Sequence, residues 1–101
     1  MTLTEVLAAA AASLDVVPER TSGGETDWRR GETRFASLDA DGRVASFRLD
    51  ATLAAAARRT PDTGPSGHGP EWVTFAPTVI DGHAVDRATA WFLAAARRAG
   101  G

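Results

Sequence analysis

The stretch from Gly31 to Leu49, GETRFASLDADGRVASFRL, does most to limit what this chain can become. It holds two runs of alternating character joined at Asp39-Ala40-Asp41-Gly42. Asp-Gly between alternating runs marks a tight β-hairpin, because glycine adopts the positive φ that such turns need without steric cost. Alternation then sorts the side chains. Phe35 is expected on one face, with Arg34, Ala36 and Leu38 on the other. Past the turn, Ala45, Phe47 and Leu49 share a face, and Val44, Ser46 and Arg48 take the opposite one. The aromatic-bearing faces are expected to pack on helices. A second face carrying Arg34, Ser46 and Arg48 is left open to solvent, as an antiparallel sheet permits.

Helices are expected on either side of this hairpin. Thr2-Leu3-Thr4-Glu5 is a capping box, in which the Thr hydroxyl and the Glu carboxylate each satisfy an orphan N–H. Leu3, Val6, Leu7, Ala10, Ala11 and Leu14 follow with helical spacing, so a helix is expected over about residues 3–14. Val16 to Thr21 reads as an extended segment, placed at a sheet edge or a strand start because Pro18 lacks an N–H. Ser22-Gly23-Gly24-Glu25 is a turn. Thr26 to Arg30 is a short strand carrying Trp28. Asp50 caps a short helix over Ala51 to Arg59, with Leu53 as its apolar anchor. Thr60 to Pro70, TPDTGPSGHGP, is dense in Gly and Pro and reads as a long loop. Glu71 to Ala76 is a further strand. The last helix is expected from about His83 to Ala99, possible capping residue Asp81, with Val85, Ala88, Phe92, Ala95 and Ala99 as its inner stripe.

The resulting order is α-β-β-β-β-α-β-α in a single domain spanning residues 1–101. That is an α+β two-layer sandwich, a mostly antiparallel sheet with helices packed on one face. A chain of this size buries roughly 60–65% of its unfolded surface, enough for one modest core.

Composition narrows the chemistry. There is no cysteine, so thiolate catalysis, disulfides and cysteine metal sites are excluded. Every basic side chain apart from the two histidines is arginine, and Lys, Asn, Gln and Tyr are absent. The missing amides remove the usual readers of adenine edges. A net charge of −2 is unlike a dedicated nucleic-acid binder. No apolar run approaches the roughly 18 residues of a membrane span. Glu5 stands where a signal peptide would carry positive charge. A cytoplasmic protein is expected, with no membrane partner.

Candidate chemistry is sparse. Asp39-Ala40-Asp41-Gly42 lacks the third oxygen ligand and the distal Glu of a calcium loop, so it reads as a plain turn. His68 and His83 are the only histidines; a metal pair or a general base is one reading of them, and solvated loop histidines the other. The serines lie in no nucleophile elbow, and the Gly-rich segment lacks the Lys-Ser/Thr of a phosphate loop. No catalytic residue, metal site or cofactor is assigned. Arg29, Arg30, Arg34, Arg43 and Arg48 cluster in the sheet region. With Trp28 or Trp72 they offer an aromatic-plus-arginine platform for an anion; the rival reading lays the arginines along a solvated sheet face. The candidate binding residues are therefore Arg29, Arg30, Arg34, Arg48, Trp72, His68 and His83.

Gly23-Gly24, six residues, Gly31 and then Phe35-Ala36 resemble the double-Gly, strand, Gly, hydrophobic-Ala pattern of the TfoX N-terminal domain. Trp72-Val73, Pro77 and Trp91 in an alanine-rich closing helix resemble that family's C-terminal half. The YjbR/MmcQ family is similar through WRRGETRFASLDAD, Trp28 to Asp41, and the luciferase-domain family through its Trp-Val-Thr-Phe-like strand. Thr21-Ser22 departs from the Met-Phe-like pair expected before the double Gly, and Glu32 from a frequent Lys, which weakens any inherited basic surface. The resemblance implies a small α+β domain without a catalytic set. TfoX-like proteins are linked to regulation of competence genes, and YjbR-like ones have been proposed to bind DNA. The expectation is a non-enzymatic regulatory interaction module, with a protein partner first and DNA second, as monomer or homodimer. The alternative is a small-molecule-binding or enzymatic domain that uses the 60–70 segment and the open sheet face. A concave site with converging polar groups would favour the alternative.

Overall fold

The computed structural model of the chain describes residues 1–100. Its elements are α1 (Leu3–Ser13), β1 (Glu19–Arg20), β2 (Thr26–Arg30), β3 (Thr33–Leu38), β4 (Ala45–Arg48), α2 (Ala51–Ala57), β5 (Thr63–Ser66), β6 (Gly69–Phe75) and α3 (Gly82–Gly100). The six strands form one sheet in the order β1-β2-β3-β4-β6-β5, and every neighbouring pair is antiparallel. The α+β architecture expected from the sequence is present.

The elements begin and end for local reasons. At α1 the capping box is complete: Glu5 N donates to Thr2 Oγ1 at 3.2 Å and Thr2 N donates to Glu5 Oε1 at 2.8 Å. Asp50 caps α2 by accepting from Leu53 N at 2.8 Å. Asp39 organises the central turn, where its Oδ1 accepts from Arg43 N at 2.8 Å and Val44 N at 3.0 Å. Gly42 closes that turn at φ +72°. In α2 the anchoring differs from expectation. Ala54 and Ala57 are buried, whereas Leu53 is only partly covered, because a helix this short presents its small residues to the sheet.

Thr60 to Pro70 is not a loop throughout. Thr63–Ser66 forms β5, paired with β6 from Thr63↔Phe75 to Ser66↔Gly69. Pro65 is tolerated because β5 is an edge strand with only one neighbour, so a missing N–H need not break a ladder. Asp62 at φ +67° and Gly69 at φ +140° help the backbone reverse at either end.

A second difference lies in β3. Its register with β2 runs Trp28↔Ala36 and then Arg29↔Arg34, which leaves Phe35 unpaired as a β-bulge. Strict alternation, which put Ala36 and Leu38 opposite Phe35, fails at this residue. All three are buried in the one apolar core, and Arg34 comes out on the other face.

The core lies between the sheet and the layer formed by α1 and α3. Phe92 of α3 meets Trp28 and Phe35 edge-on, with ring centroids 5.4 and 5.2 Å away. Trp91 meets Phe75 edge-on at 5.1 Å. Adjacent Trp91 and Phe92 are both buried, each over a different part of the sheet. No helix among the described residues is long and apolar enough to cross a membrane.

Candidate functional site

The sheet face away from α1 and α3 carries a polar row set by strand register. Asp27 stands opposite Ser37, Ser37 opposite Ser46, and Ser46 opposite Thr74. Residues directly opposite on an antiparallel pair share a face. The row therefore crosses four strands without an apolar side chain. Asp27, Ser37 and Ser46 are buried despite lying outside the core.

What buries them is the tip of the β5–β6 hairpin, which folds over β3. His68 sits at that tip, 34 residues from Arg34 and 31 from Ser37 in the chain, and touches both. Its Nδ1 lies 2.9 Å from Arg34 Nη2 and its Nε2 lies 3.2 Å from Ser37 Oγ. Arg34 Nη1 reaches Asp27 Oδ2 at 3.3 Å, and its guanidinium stands over the Trp72 ring at 5.4 Å. The His68 and Trp72 rings are 4.8 Å apart. Trp72 is buried but belongs to this cluster, not to the helix-side core. Asp27 Oδ1 is buried with no hydrogen-bond partner.

Beside the cluster lies a concavity of about 350 Å³. Ser37, Ser46, Ser66 and Thr74 line it with hydroxyls, His68 forms one wall, and the carboxylates of Glu25 and Asp39 sit at its margin. No arginine lines it.

The hydrogen bonds define the protonation of His68. A guanidinium has donors only, so Nδ1 is the acceptor and Nε2 carries the proton, donating to Ser37 Oγ. A serine nucleophile needs the reverse arrangement, with Nε2 accepting the hydroxyl proton and Nδ1–H held by a carboxylate. Ser37 and His68 are thus a structural pair with the wrong tautomer for acyl transfer. The carboxylate that would have to orient the base, Asp27, is paired with Arg34 instead.

Of the candidate residues named from the sequence, Arg34, His68 and Trp72 come together. Arg48 stands opposite Trp72 on the same face but is turned to another partner, and the remaining candidates lie elsewhere. Arg29 Nε pairs with Glu19 at 3.0 Å on the outer edge. Arg30 points to the helix side, where Nη1 donates to Ala96 O at 3.2 Å. Arg48 donates to Glu71 Oε2 from Nε at 3.2 Å. Glu71 also accepts from Arg98 Nη2 at 2.7 Å, and Arg98 first, then Arg48, holds its carboxyl below the ordinary value. His83 is exposed in the first turn of α3 and makes no pair with His68. Arg29, Arg30, Arg34 and Arg48 each engage a different protein acceptor, so they do not form one free platform. Among the described residues, no three His, Asp or Glu side chains gather as a metal site requires.

No motif in the sequence singles out Asp27, Ser37 or Thr74. Their signal was the alternation itself, which gives each strand one polar position at the same level of the sheet. Reading it needed the register between strands.

No family model matches the chain, and no curated protein matches it. A crystal structure of a protein from Pseudomonas syringae, a Northeast Structural Genomics Consortium target, is similar with a TM-score of 0.70 at 13% sequence identity. The match covers 98% of this chain and 99% of that one. At that identity the likeness shows the fold alone.

Proposed function

We propose that the chain is a non-enzymatic binding domain whose helix-free sheet face takes a small polar molecule rich in hydroxyl or ammonium groups. The observation that carries this reading is the hydroxyl-lined concavity of about 350 Å³ beneath the β5–β6 tip. It has the size of a small-molecule site, with several polar groups converging on it. The Glu25 and Asp39 carboxylates at its margin favour a ligand with positive charge. Clustered serine and threonine hydroxyls suit one with many donors and acceptors. The His68 tautomer supports binding over catalysis.

The test is a titration of the purified protein with glucosamine and with spermidine, followed by calorimetry and thermal melting. Saturable binding of either, weakened at least tenfold by Ser46→Val together with Thr74→Val, is the expected result. A folded protein whose melting temperature neither compound moves would overturn the reading.

The regulatory-module reading, which the TfoX and YjbR resemblance suggests, is second. It is favoured by the open sheet edge at β1 beside the exposed Val17. An unpaired edge of this kind invites a partner strand or a second copy. DNA ranks behind a protein partner here, because Arg29, Arg30, Arg34 and Arg48 are each engaged within the chain.

A further inference from the structure

A second cavity, of about 380 Å³, opens on the helix side of the sheet, between α1 and the β1–β2 edge. Its wall is apolar: Ala8, Ala11, Ala12, Val16, Pro18 and Leu38. The cavity exists because α1 presents alanines there, and alanine side chains stop short of the sheet edge. It lies on the opposite side of the sheet from the polar concavity and does not depend on any function for that face.

Trp28 and Arg20 both belong to this wall. Trp28 lines the cavity, and its indole Nε1 is buried with no acceptor. Arg20 lines the same cavity, and none of the ion pairs among the described residues involves it. Register explains its position. Arg20 stands opposite Thr26, Thr26 opposite Leu38, and Leu38 opposite Ala45, so Arg20 ends a helix-side row at the sheet edge. The wall contains no carboxylate. The lining residues besides these are apolar or the hydroxyl-bearing Thr4 and Thr26.

An apolar cavity with an exposed guanidinium free of ion pairs at its sheet-edge end is complementary to an apolar molecule that ends in an anionic acceptor. We infer that this cavity binds a medium-chain or compact aromatic monocarboxylic acid. The apolar body packs against the alanines of α1, and the carboxylate meets Arg20. A guanidinium pairs with a carboxylate through two parallel N–H···O bonds, which gives the site its preference for an acid over an alcohol of the same length. A volume near 380 Å³ falls at the lower end of small-molecule sites, which favours a short body over a long-chain lipid.

The test uses octanoate, with octan-1-ol and octyltrimethylammonium as comparisons. The first readout is the assigned Trp28 Nε1–H resonance in ¹H–¹⁵N spectra. Octanoate is expected to shift it saturably, octan-1-ol to act at least tenfold more weakly, and the cation not at all. Arg20→Ala should reduce octanoate affinity about tenfold. Ala12→Leu, which fills the chamber with a helix-favouring residue, should abolish the shift while the fold is retained in the rest of the spectrum. Three results would each overturn the proposal: an unmoved Trp28 resonance at millimolar octanoate, equal responses to the acid and the cation, or full binding by folded Ala12→Leu protein.

Discussion

Arg34 Nη2 and His68 Nδ1 lie 2.9 Å apart, and the contact decides both the shape of the open sheet face and the chemistry it can perform. The guanidinium cannot accept, so His68 is neutral with its proton on Nε2. The hairpin tip is drawn onto β3, and Ser37 becomes an acceptor for His68 while its own hydroxyl proton is free to turn toward the concavity. Long-range ¹H–¹⁵N correlation should therefore find His68 in the single Nε2–H tautomer at neutral pH. In Arg34→Ala the same spectrum should show both tautomers in exchange. A predominantly Nδ1–H ring in the parent protein would mean that the arginine is turned elsewhere.

Arg34 also neutralises a buried carboxylate. Asp27 retains 4% of its side-chain exposure, and Arg34 is its only ion-pair partner among the described residues. Removing one member of a buried pair strands the other, which costs about 3–5 kcal/mol in fully buried cases. Arg34 keeps 31% of its exposure, so water relieves part of this, and Arg34→Ala should cost about 2 kcal/mol. Adding Asp27→Asn should return part of that loss, since the amide carries no charge. Urea unfolding of the two variants makes the comparison; a double variant less stable than the single one would show that Asp27 has no need of the arginine.

Glu71 joins the end of α3 to β4 by accepting from Arg98 and Arg48. Its carboxyl is held below its ordinary value, chiefly by the Arg98 hydrogen bond. A carboxylate depressed in the folded state stabilises the fold above its unfolded pKa, and that stability is lost as pH falls through the folded value. Glu71→Gln should thus lower the melting temperature at pH 7. The difference from the parent should close as pH drops below about 4, where glutamates protonate. Raising the salt to about 1 M should shrink the pH 7 difference as well, because the pair is exposed and screened. A difference that persists unchanged in acid would assign the role to the glutamate's stem and not its charge.

Gly31 and Gly42 both have positive φ, +61° and +72°, yet they sit in different surroundings. A Cβ at Gly31 meets nothing within 4 Å, whereas one at Gly42 falls 2.8 Å from Thr4 Oγ1. Gly31→Ala should cost only the left-handed backbone strain, about 1 kcal/mol. Gly42→Ala carries the same strain and also displaces the start of α1, so it should cost roughly 2 kcal/mol. Adding Thr4→Ala to Gly42→Ala should bring the loss back toward that of Gly31→Ala. Equal losses for the two single glycine variants in urea unfolding would show that the turn does not bear on α1.

Local chemistry wrote much of this fold into the sequence. The capping box at Thr2 and Glu5, the Asp50 cap and the turn at Asp39 to Gly42 each act within about five residues, and each is found where the residues alone put it. Two-residue alternation placed Arg34, Ser46 and Arg48 away from the helices, and chain order alone fixed which elements follow one another. Tertiary structure decided the rest. Pro and Gly in Thr63–Ser66 conceal a strand that exists only because β6 offers it a partner at the sheet edge. The bulge at Phe35 depends on register with β2, and a single unpaired residue there reverses the facing of the residues after it in β3 relative to strict alternation. Nothing next to Asp27 in the chain signals its burial; it is buried where Arg34 pairs with it, and His68, 34 residues beyond that arginine, contacts the same guanidinium. Caps, turns and alternation are satisfied by near neighbours and can be read along the chain. Burial and the meeting of Arg34, His68 and Trp72 depend on which strands lie side by side, and that choice is made by the core as a whole.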